Sequence, residues 1–191
     1  MRKTIKGIDV PVIGFAAYSG TGKTTLLTRI VETFNTHNIR VGIVKHAHHN
    51  FDIDYPGKDS YRLRKSGASQ VLIGSSQRWA LMVENDIKEH KPLEYHIRHM
   101  DLASLDLVLI EGFKLADIPK IEIHRPSLGN PPLYPDDKNI IAIATDAEIS
   151  TEPDIPVLDI NDPESIAKFI IDHFLGNVVM LKRSGKINKD L

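Results

Sequence analysis

The sequence is first informative for what it lacks. It contains no cysteine among its 191 residues, which excludes disulfide bonds and thiolate metal sites and fits a reducing compartment. It also has no apolar run near the roughly 18 residues that a membrane-spanning helix requires. Its 24 basic and 25 acidic residues nearly cancel, so no excess of positive charge indicates a nucleic-acid-binding surface. We therefore expect a cytoplasmic protein that binds neither membranes nor nucleic acids.

What remains is an ordinary globular composition, with 41% hydrophobic and 26% charged residues. The length suits one domain with a good-sized core, which we predict over residues 1–176. Residues 177–191 carry four basic side chains after a glycine that ends a predicted helix, so we expect a basic, flexible tail there.

The strongest chemical signal lies in residues 12–30, which read VIGFAAYSGTGKTTLLTRI. An apolar segment is followed by a loop of small residues and then by leucines at helical spacing. Glycines let such a loop turn its N–H groups toward phosphate oxygens, and the N-terminus of the next helix adds partial positive charge. The pattern indicates the phosphate-binding loop of nucleoside triphosphatases, although Ala17 replaces its first glycine. We predict ligand contacts from Ser19, Gly20, Thr21, Gly22, Lys23, Thr24 and Thr25.

The same loop predicts where magnesium and catalysis would be found. Lys23 can reach the β- and γ-phosphates, and the Thr24 hydroxyl can ligate Mg²⁺. Glu111 ends an apolar segment and could hold magnesium directly or through water, or it could be an acidic strand end without a ligand. We therefore predict Lys23 and Glu111 as catalytic residues, and Thr24, Glu111 and Asp59 as magnesium ligands. Asp59 could instead cap a helix.

Asp146 bears on which base the site accepts. Guanine presents two adjacent donors, N1–H and the 2-amino group, which one carboxylate can accept together, whereas adenine does not match this pair. Residues 145–146 keep only the end of the Asn-Lys-x-Asp guanine motif, and Asp146 could simply cap a turn. Asp52, in the long polar loop of residues 46–60, is a further predicted ligand-binding residue.

Two other features have more than one interpretation. Residues 69–74 and 78–84 predict a two-stranded ribbon, which is marginal alone and must extend the main sheet or pair with a second subunit. His46, His48 and His49 could line the pocket of an anionic ligand, bind zinc or nickel, or have no role.

The order of elements predicts an α/β fold. Strands alternate with helices after the phosphate loop, which is typical of a P-loop NTPase with a mostly parallel sheet wrapped by helices, here with the inserted ribbon. Ligands of such sheets bind at the carboxyl ends of the strands, so the loops after residues 17, 44, 110 and 144 should converge. Residues 120–124 (KIEIH) alternate in polarity and predict an edge strand.

At this point the sequence resembles a known family. The segments FAAYSGTGKTTLL, GIVKHAHHNFDID, PGKDSYRLRKSGA, SSQRWALM and DLVLIEGFK are together similar to the molybdopterin-guanine dinucleotide biosynthesis protein B family, over residues 12–162. The resemblance implies a GTP-binding homodimer with magnesium dependence and weak GTPase activity at most. It also implies a partner, the guanylyltransferase that joins GMP to molybdopterin. Whether molybdopterin itself binds this chain stays open.

Two alternatives use the same loop. A small-molecule kinase would need an acceptor base and an arginine-rich lid, for which Arg62, Arg64 and Arg78 are the candidates. A metal-delivery protein driven by GTP would instead depend on the three histidines.

Overall fold

A computed structural model describes residues 5–47, 51–85, 91–149 and 153–176. The chain divides into two compact units. The first, which we call the sheet unit, combines Met1–His46 with Pro92–Leu191, and the second, the ribbon unit, is Ala47–Lys91. The predicted tail at residues 177–191 lies outside the described residues.

The elements follow the predicted alternation of strands and helices. The strands are β1 (Val12–Ala17), β2 (Val41–Lys45), β3 (Gln70–Gly74), β4 (Trp79–Val83), β5 (Leu107–Glu111), β6 (Lys120–His124), β7 (Ile140–Thr145) and β8 (Val157–Asp159). The α-helices are α1 (Lys23–Thr36), α2 (Asp59–Lys65), α3 (Leu93–Ile97) and α4 (Pro163–Ile170), the last continuing into a π-helical turn at Ile171–Leu175.

Six strands form the sheet of the sheet unit, in the order β2-β5-β1-β6-β7-β8, and every neighbouring pair is parallel. β3 and β4 form a separate antiparallel ribbon. The prediction of a mostly parallel sheet with an inserted two-stranded ribbon is therefore confirmed.

Apolar side chains cover the parallel sheet on both faces. On one face, Leu26, Ile30 and Phe34 of α1 pack with Ile166 and Ile170 of α4. On the other, Leu93 and Ile97 of α3 belong to a second cluster. All six residues of β1 are buried between these layers, which explains why the central strands are continuous apolar runs rather than alternating ones.

The prediction that residues 120–124 form an edge strand is wrong. β6 lies between β1 and β7 in the interior of the sheet, and all five of its residues are buried. Ile121 and Ile123 join the main apolar cluster, and the polar residues alternate with them toward the other face.

Two of those polar residues, Lys120 and Glu122, find partners in the segment that follows β6. Lys120 Nζ donates to Asp137 Oδ2 at 2.7 Å. The Glu122 carboxylate accepts hydrogen bonds from the backbone N–H groups of Leu133 and Tyr134 at 2.7 and 2.8 Å. Burial raises the pKa of Glu122, and the two N–H donors offset part of that effect. Alternation in β6 thus reflects a polar face satisfied by a loop, not exposure to solvent.

An ionic cluster centred on Arg64 of α2 characterises the ribbon unit. Arg64 Nη2 lies 2.5 Å from Asp54 Oδ1 and 2.7 Å from Asp52 Oδ1, and Nη1 lies 3.1 Å from Glu84 Oε1. The hydrogen bond from Arg64 holds the pKa of Asp54 below its ordinary value. These contacts join the long loop, α2 and the end of β4 within this unit.

Across the four described ranges, we find no helix with the length and apolar character needed to cross a membrane.

Candidate phosphate-binding site

The loop between β1 and α1 has the backbone conformation that its glycines permit. Gly20 and Gly22 adopt φ angles of +82° and +84°, in the left-handed region that other residues rarely occupy. Thr21, between them, is buried, and its Oγ1 donates to the carbonyl of Tyr18 at 3.1 Å. Helix α1 begins directly afterwards at Lys23. The exposed residues of this loop and helix start are Ser19, Gly20, Gly22, Thr24 and Thr25, so the loop is open to a ligand.

Ala17, which departs from the motif, is the last residue of β1. It pairs with Ile123 of β6, is 3% exposed and belongs to the main apolar cluster. Its methyl group is therefore accommodated in the core, and the turn itself still has a glycine at both left-handed positions.

The predicted catalytic residues Lys23 and Glu111 come together at the carboxyl ends of the strands. Lys23 Nζ lies 3.7 Å from Glu111 Oε1, and Lys45 Nζ, at the end of β2, lies 3.4 Å from the same oxygen. Because β5 lies between β1 and β2, its last residue is flanked by the lysines that follow or end those strands. Two ammonium groups around one carboxylate leave a net positive charge beside the exposed loop, which favours an anionic ligand.

Gly112 fixes how the chain leaves this carboxylate. It has a φ of +100°, and a Cβ there would lie 3.0 Å from the Cβ of His46 and 3.2 Å from its carbonyl oxygen. The His46 N–H donates to the Glu111 carbonyl at 2.8 Å, and the His46 ring lies 5.0 Å from the Phe113 ring. Glycine is thus the residue that allows β2 and β5 to remain close beyond their last paired residues.

The proposed zinc or nickel cluster gains no support from the part of the chain that the structure describes. Within that part, no group of three or more histidine, aspartate or glutamate side chains could hold a metal ion. His48 and His49 lie outside the described residues, so the alternative that depends on them stays a prediction.

Arg125 was not predicted from the sequence as a site residue. It follows β6 directly, and its Nε donates to the carbonyl oxygen of Thr21 in the phosphate loop at 2.9 Å. Its Nη1 donates to Oδ2 of Asp146, which follows β7. The one available signal was a basic residue at a strand end, and the interpretation of β6 as an edge strand hid it.

The remaining predicted residues belong to the ribbon unit. Asp52 is bonded to Arg64, and Asp59 is exposed in the first turn of α2, 3.8 Å from Arg62. Lys58, not Asp59, occupies the N-cap position. The ligand and magnesium roles of Asp52 and Asp59 stay predictions.

The arginine lid that a kinase would need has fewer candidates in the structure. Arg64 is 8% exposed and bonded to three carboxylates, so it is not free to move over a ligand. Arg62 and Arg78 are exposed.

Comparison with known proteins places these motifs in a family context. The family model described as molybdopterin guanine dinucleotide synthesis protein B matches residues 12–146. The molybdopterin-guanine dinucleotide biosynthesis adapter protein of Escherichia coli (strain K12) is 45% identical over 164 residues, which are 85% of this chain and 93% of the relative. The Haemophilus influenzae protein of the same name is 42% identical over 173 residues, covering 88% and 93%.

Solved structures show the same fold. A crystal structure of molybdopterin-guanine biosynthesis protein B superposes with a TM-score of 0.65 at 26% identity, covering 86% of this chain and 99% of the other. The crystal structure of Bacillus subtilis MobB gives a TM-score of 0.67 at 23% identity, covering 86% and 98%.

Proposed function

Because the chain belongs to the molybdopterin guanine dinucleotide synthesis protein B family, we propose that it is a GTP-binding adapter in the synthesis of the molybdenum guanine dinucleotide cofactor. In this role it assists a partner guanylyltransferase that attaches GMP to molybdopterin, and it hydrolyses GTP only slowly. The protein acts in the cytoplasm.

The observation that carries the proposal is the exposed loop with its two left-handed glycines, followed by Lys23 beside Glu111. The N–H groups of the loop and of the first turn of α1 bind the phosphates. Lys23 follows the loop directly in sequence, and its ammonium group would exchange its contact with Glu111 for one with a phosphate oxygen. Thr24 and Glu111 would hold Mg²⁺ through hydroxyl and carboxylate oxygens, and the ion would neutralise the charge of the triphosphate.

We expect slow hydrolysis because the sequence lacks a motif that would position the attacking water. It has no Asp-x-x-Gly followed by a glutamine that would orient the attacking water. A site that binds GTP and rarely turns it over suits an adapter whose bound state is what the partner recognises.

A homodimer is supported by the ribbon unit. Leu72, Trp79 and Leu81 are 64%, 65% and 38% exposed, and a two-stranded ribbon with such side chains is marginal alone in water. We propose that this surface pairs with a second copy of the chain.

The first experiment measures GTP binding in the presence of Mg²⁺ by titration calorimetry. Lys23→Ala should lower the affinity for GTP at least about tenfold, because it removes a charged hydrogen-bond donor to the phosphates. Lys168→Ala is the matched control, since Lys168 lies on α4 with a 79% exposed side chain. Equal GTP affinity in the wild type and Lys23→Ala would contradict the site.

The second experiment adds the purified chain to the guanylyltransferase with GTP and molybdopterin and measures the dinucleotide formed. The wild type should raise the yield and Lys23→Ala should not. Product analysis separates the alternatives, because release of phosphate alone fits the adapter and transfer of phosphate to an added acceptor would instead support a kinase. An unchanged yield with the wild type would contradict the adapter role.

A further inference from the structure

Arg125 links two parts of the site that are far apart in sequence. Its Nε bonds to the Thr21 carbonyl in the phosphate loop at 2.9 Å, and its Nη1 bonds to the Asp146 carboxylate after β7. The third nitrogen, Nη2, lies 3.9 Å from where a Cβ on Gly22 would be. One guanidinium therefore contacts the phosphate loop and the predicted base-recognition residue at the same time.

The geometry uses a property that arginine has and lysine lacks. A guanidinium is planar, carries five donors in a fixed fork and stays charged, so two acceptors bonded to it are held at a fixed separation. Thr21 is 2% exposed, and the Arg125 and Asp146 side chains are 32% and 24% exposed. The link is thus partly screened from water at its Asp146 end and buried at its Thr21 end.

Asp146 keeps enough acceptor capacity to bind a base while it remains bonded to Arg125. An ionised carboxylate has about four lone-pair positions, and Arg125 occupies one on Oδ2. The backbone beside Asp146 is also held, because the Ala147 N–H donates to Thr145 Oγ1 at 3.4 Å. What Arg125 adds is the direction of the Asp146 carboxylate relative to the phosphate loop.

We propose that Arg125 is a positioning residue that couples guanine recognition by Asp146 to phosphate binding by the loop at Thr21. The inference rests on the proposed GTP-binding function and extends it to the origin of base preference. Without Arg125, the Asp146 carboxylate turns toward solvent and the Thr21 carbonyl loses its donor. The preference for GTP over ATP then falls, and the affinity for the phosphates falls as well.

The experiment measures the affinities of GTP, ITP, ATP and inorganic tripolyphosphate, each with Mg²⁺, by titration calorimetry. The variants are Arg125→Met, Arg125→Lys, Asp146→Asn and the double variant Arg125→Met/Asp146→Asn. The matched control is Arg40→Met, because Arg40 also pairs with an aspartate, Asp106 at 3.7 Å, through an arginine side chain that is 59% exposed. ITP lacks the 2-amino group and isolates that contact.

Arg125→Met should reduce the preference for GTP over ATP by about tenfold and also weaken tripolyphosphate. Asp146→Asn should reduce the preference to a similar degree and leave tripolyphosphate unchanged. The double variant should show no further loss of preference, because both changes break one linked unit. Arg125→Lys keeps the positive charge but lacks the planar set of donors of a guanidinium, so it should also lose the preference for GTP over ATP. If Arg125→Met does not fold, this variant decides the test.

Three results would overturn the inference. The first is that the wild type binds GTP and ATP equally. The second is that both Arg125 variants keep the wild-type preference for GTP over ATP, and the third is that the double variant loses as much of this preference as the two single variants added together. The proposed function fails separately, if the wild type and Lys23→Ala bind tripolyphosphate equally. Tripolyphosphate binding that depends on Lys23, together with Arg125 variants of unchanged preference, would reject only the coupling.

Discussion

The sheet unit and the ribbon unit differ in the side chains that their interiors contain. In the sheet unit, β1 is wholly buried between apolar clusters on both faces of the sheet. In the ribbon unit, Arg64 bonds to three carboxylates while Leu72 and Trp79 remain largely exposed. One region therefore has an apolar interior, and the other is organised around one buried guanidinium.

The difference matters for function because the two kinds of region respond differently to conditions. A close-packed apolar core holds the phosphate loop and the strand ends in one arrangement, which suits a binding site. A small unit with exposed apolar side chains and an ionic cluster has little core of its own, so its stability should change with charge state and with a partner.

The largest expected effect tests the apolar side of this comparison with one substitution at two places. Leu109→Ala in β5 removes a side chain that is 1% exposed and should lower the free energy of unfolding by about 2–5 kcal/mol. Leu72→Ala in β3 removes one that is 64% exposed in the single chain, so at protein concentrations too low for the proposed homodimer it should change that free energy by no more than about 0.5 kcal/mol. Denaturant unfolding measures both. Because the proposed homodimer covers Leu72, the loss in Leu72→Ala should grow with protein concentration, whereas the loss in Leu109→Ala should be large at every concentration. Similar losses for the two variants at low concentration would contradict the comparison.

The second prediction tests the ionic side. Arg64→Met leaves the buried Asp54 carboxylate without its counter-charge, so residues 51–85 should open more often than in the wild type. Hydrogen exchange should rise in that segment while the strands of the sheet unit stay protected. Arg62→Met, at a side chain that is 78% exposed, is the control. A uniform rise across both units, or no rise at all, would contradict the distinction.

The smallest expected effect concerns pH and has opposite signs in the two units. Asp54 has a lowered pKa, so its stabilising contribution is present above its ordinary value of 3.8 and is lost as the pH falls through the lowered value. Glu122 has a raised pKa, so its contribution is present below 4.5 and is lost as the pH rises through the raised value.

Carboxyl carbon NMR titration measures both groups directly, with Asp54→Asn and Glu122→Gln used for assignment. Glu122 should take up its proton above pH 4.5 and Asp54 below pH 3.8 on acidification. A reversed order would show that the N–H donors of Leu133 and Tyr134 outweigh burial at Glu122.

Much of the site could be predicted because its information is local. Gly20 and Gly22 indicate a turn with a left-handed backbone conformation that other residues rarely adopt. The leucines after Lys23 indicate a helix that begins there. The strand ends at Lys45, Glu111 and Thr145 could also be predicted, because each apolar run stops at a polar residue.

β6 could not be placed correctly by the same reasoning. The alternation of Lys120, Glu122 and His124 with two isoleucines is the pattern of a half-exposed strand. Its polar face is satisfied by Asp137 and by the N–H groups of Leu133 and Tyr134, in a following loop whose composition indicates only a turn-rich segment. Burial of a polar residue depends on whether such partners arrive, and that is a tertiary property.

By itself, the sequence determined the phosphate loop, the strand and helix segments, the ribbon and the family resemblance. These depend on backbone conformation and on periodicity over a few residues. The tertiary structure alone decided the interior position of β6, the ion pairs of Lys23 and Lys45 with Glu111 where the strand ends converge, and the bridge from Thr21 through Arg125 to Asp146. Such contacts join residues 21 to 104 positions apart, as Arg125 does with Asp146 and Thr21. No local preference specifies them, because each forms only after the strand order has brought its partners to the same edge of the sheet.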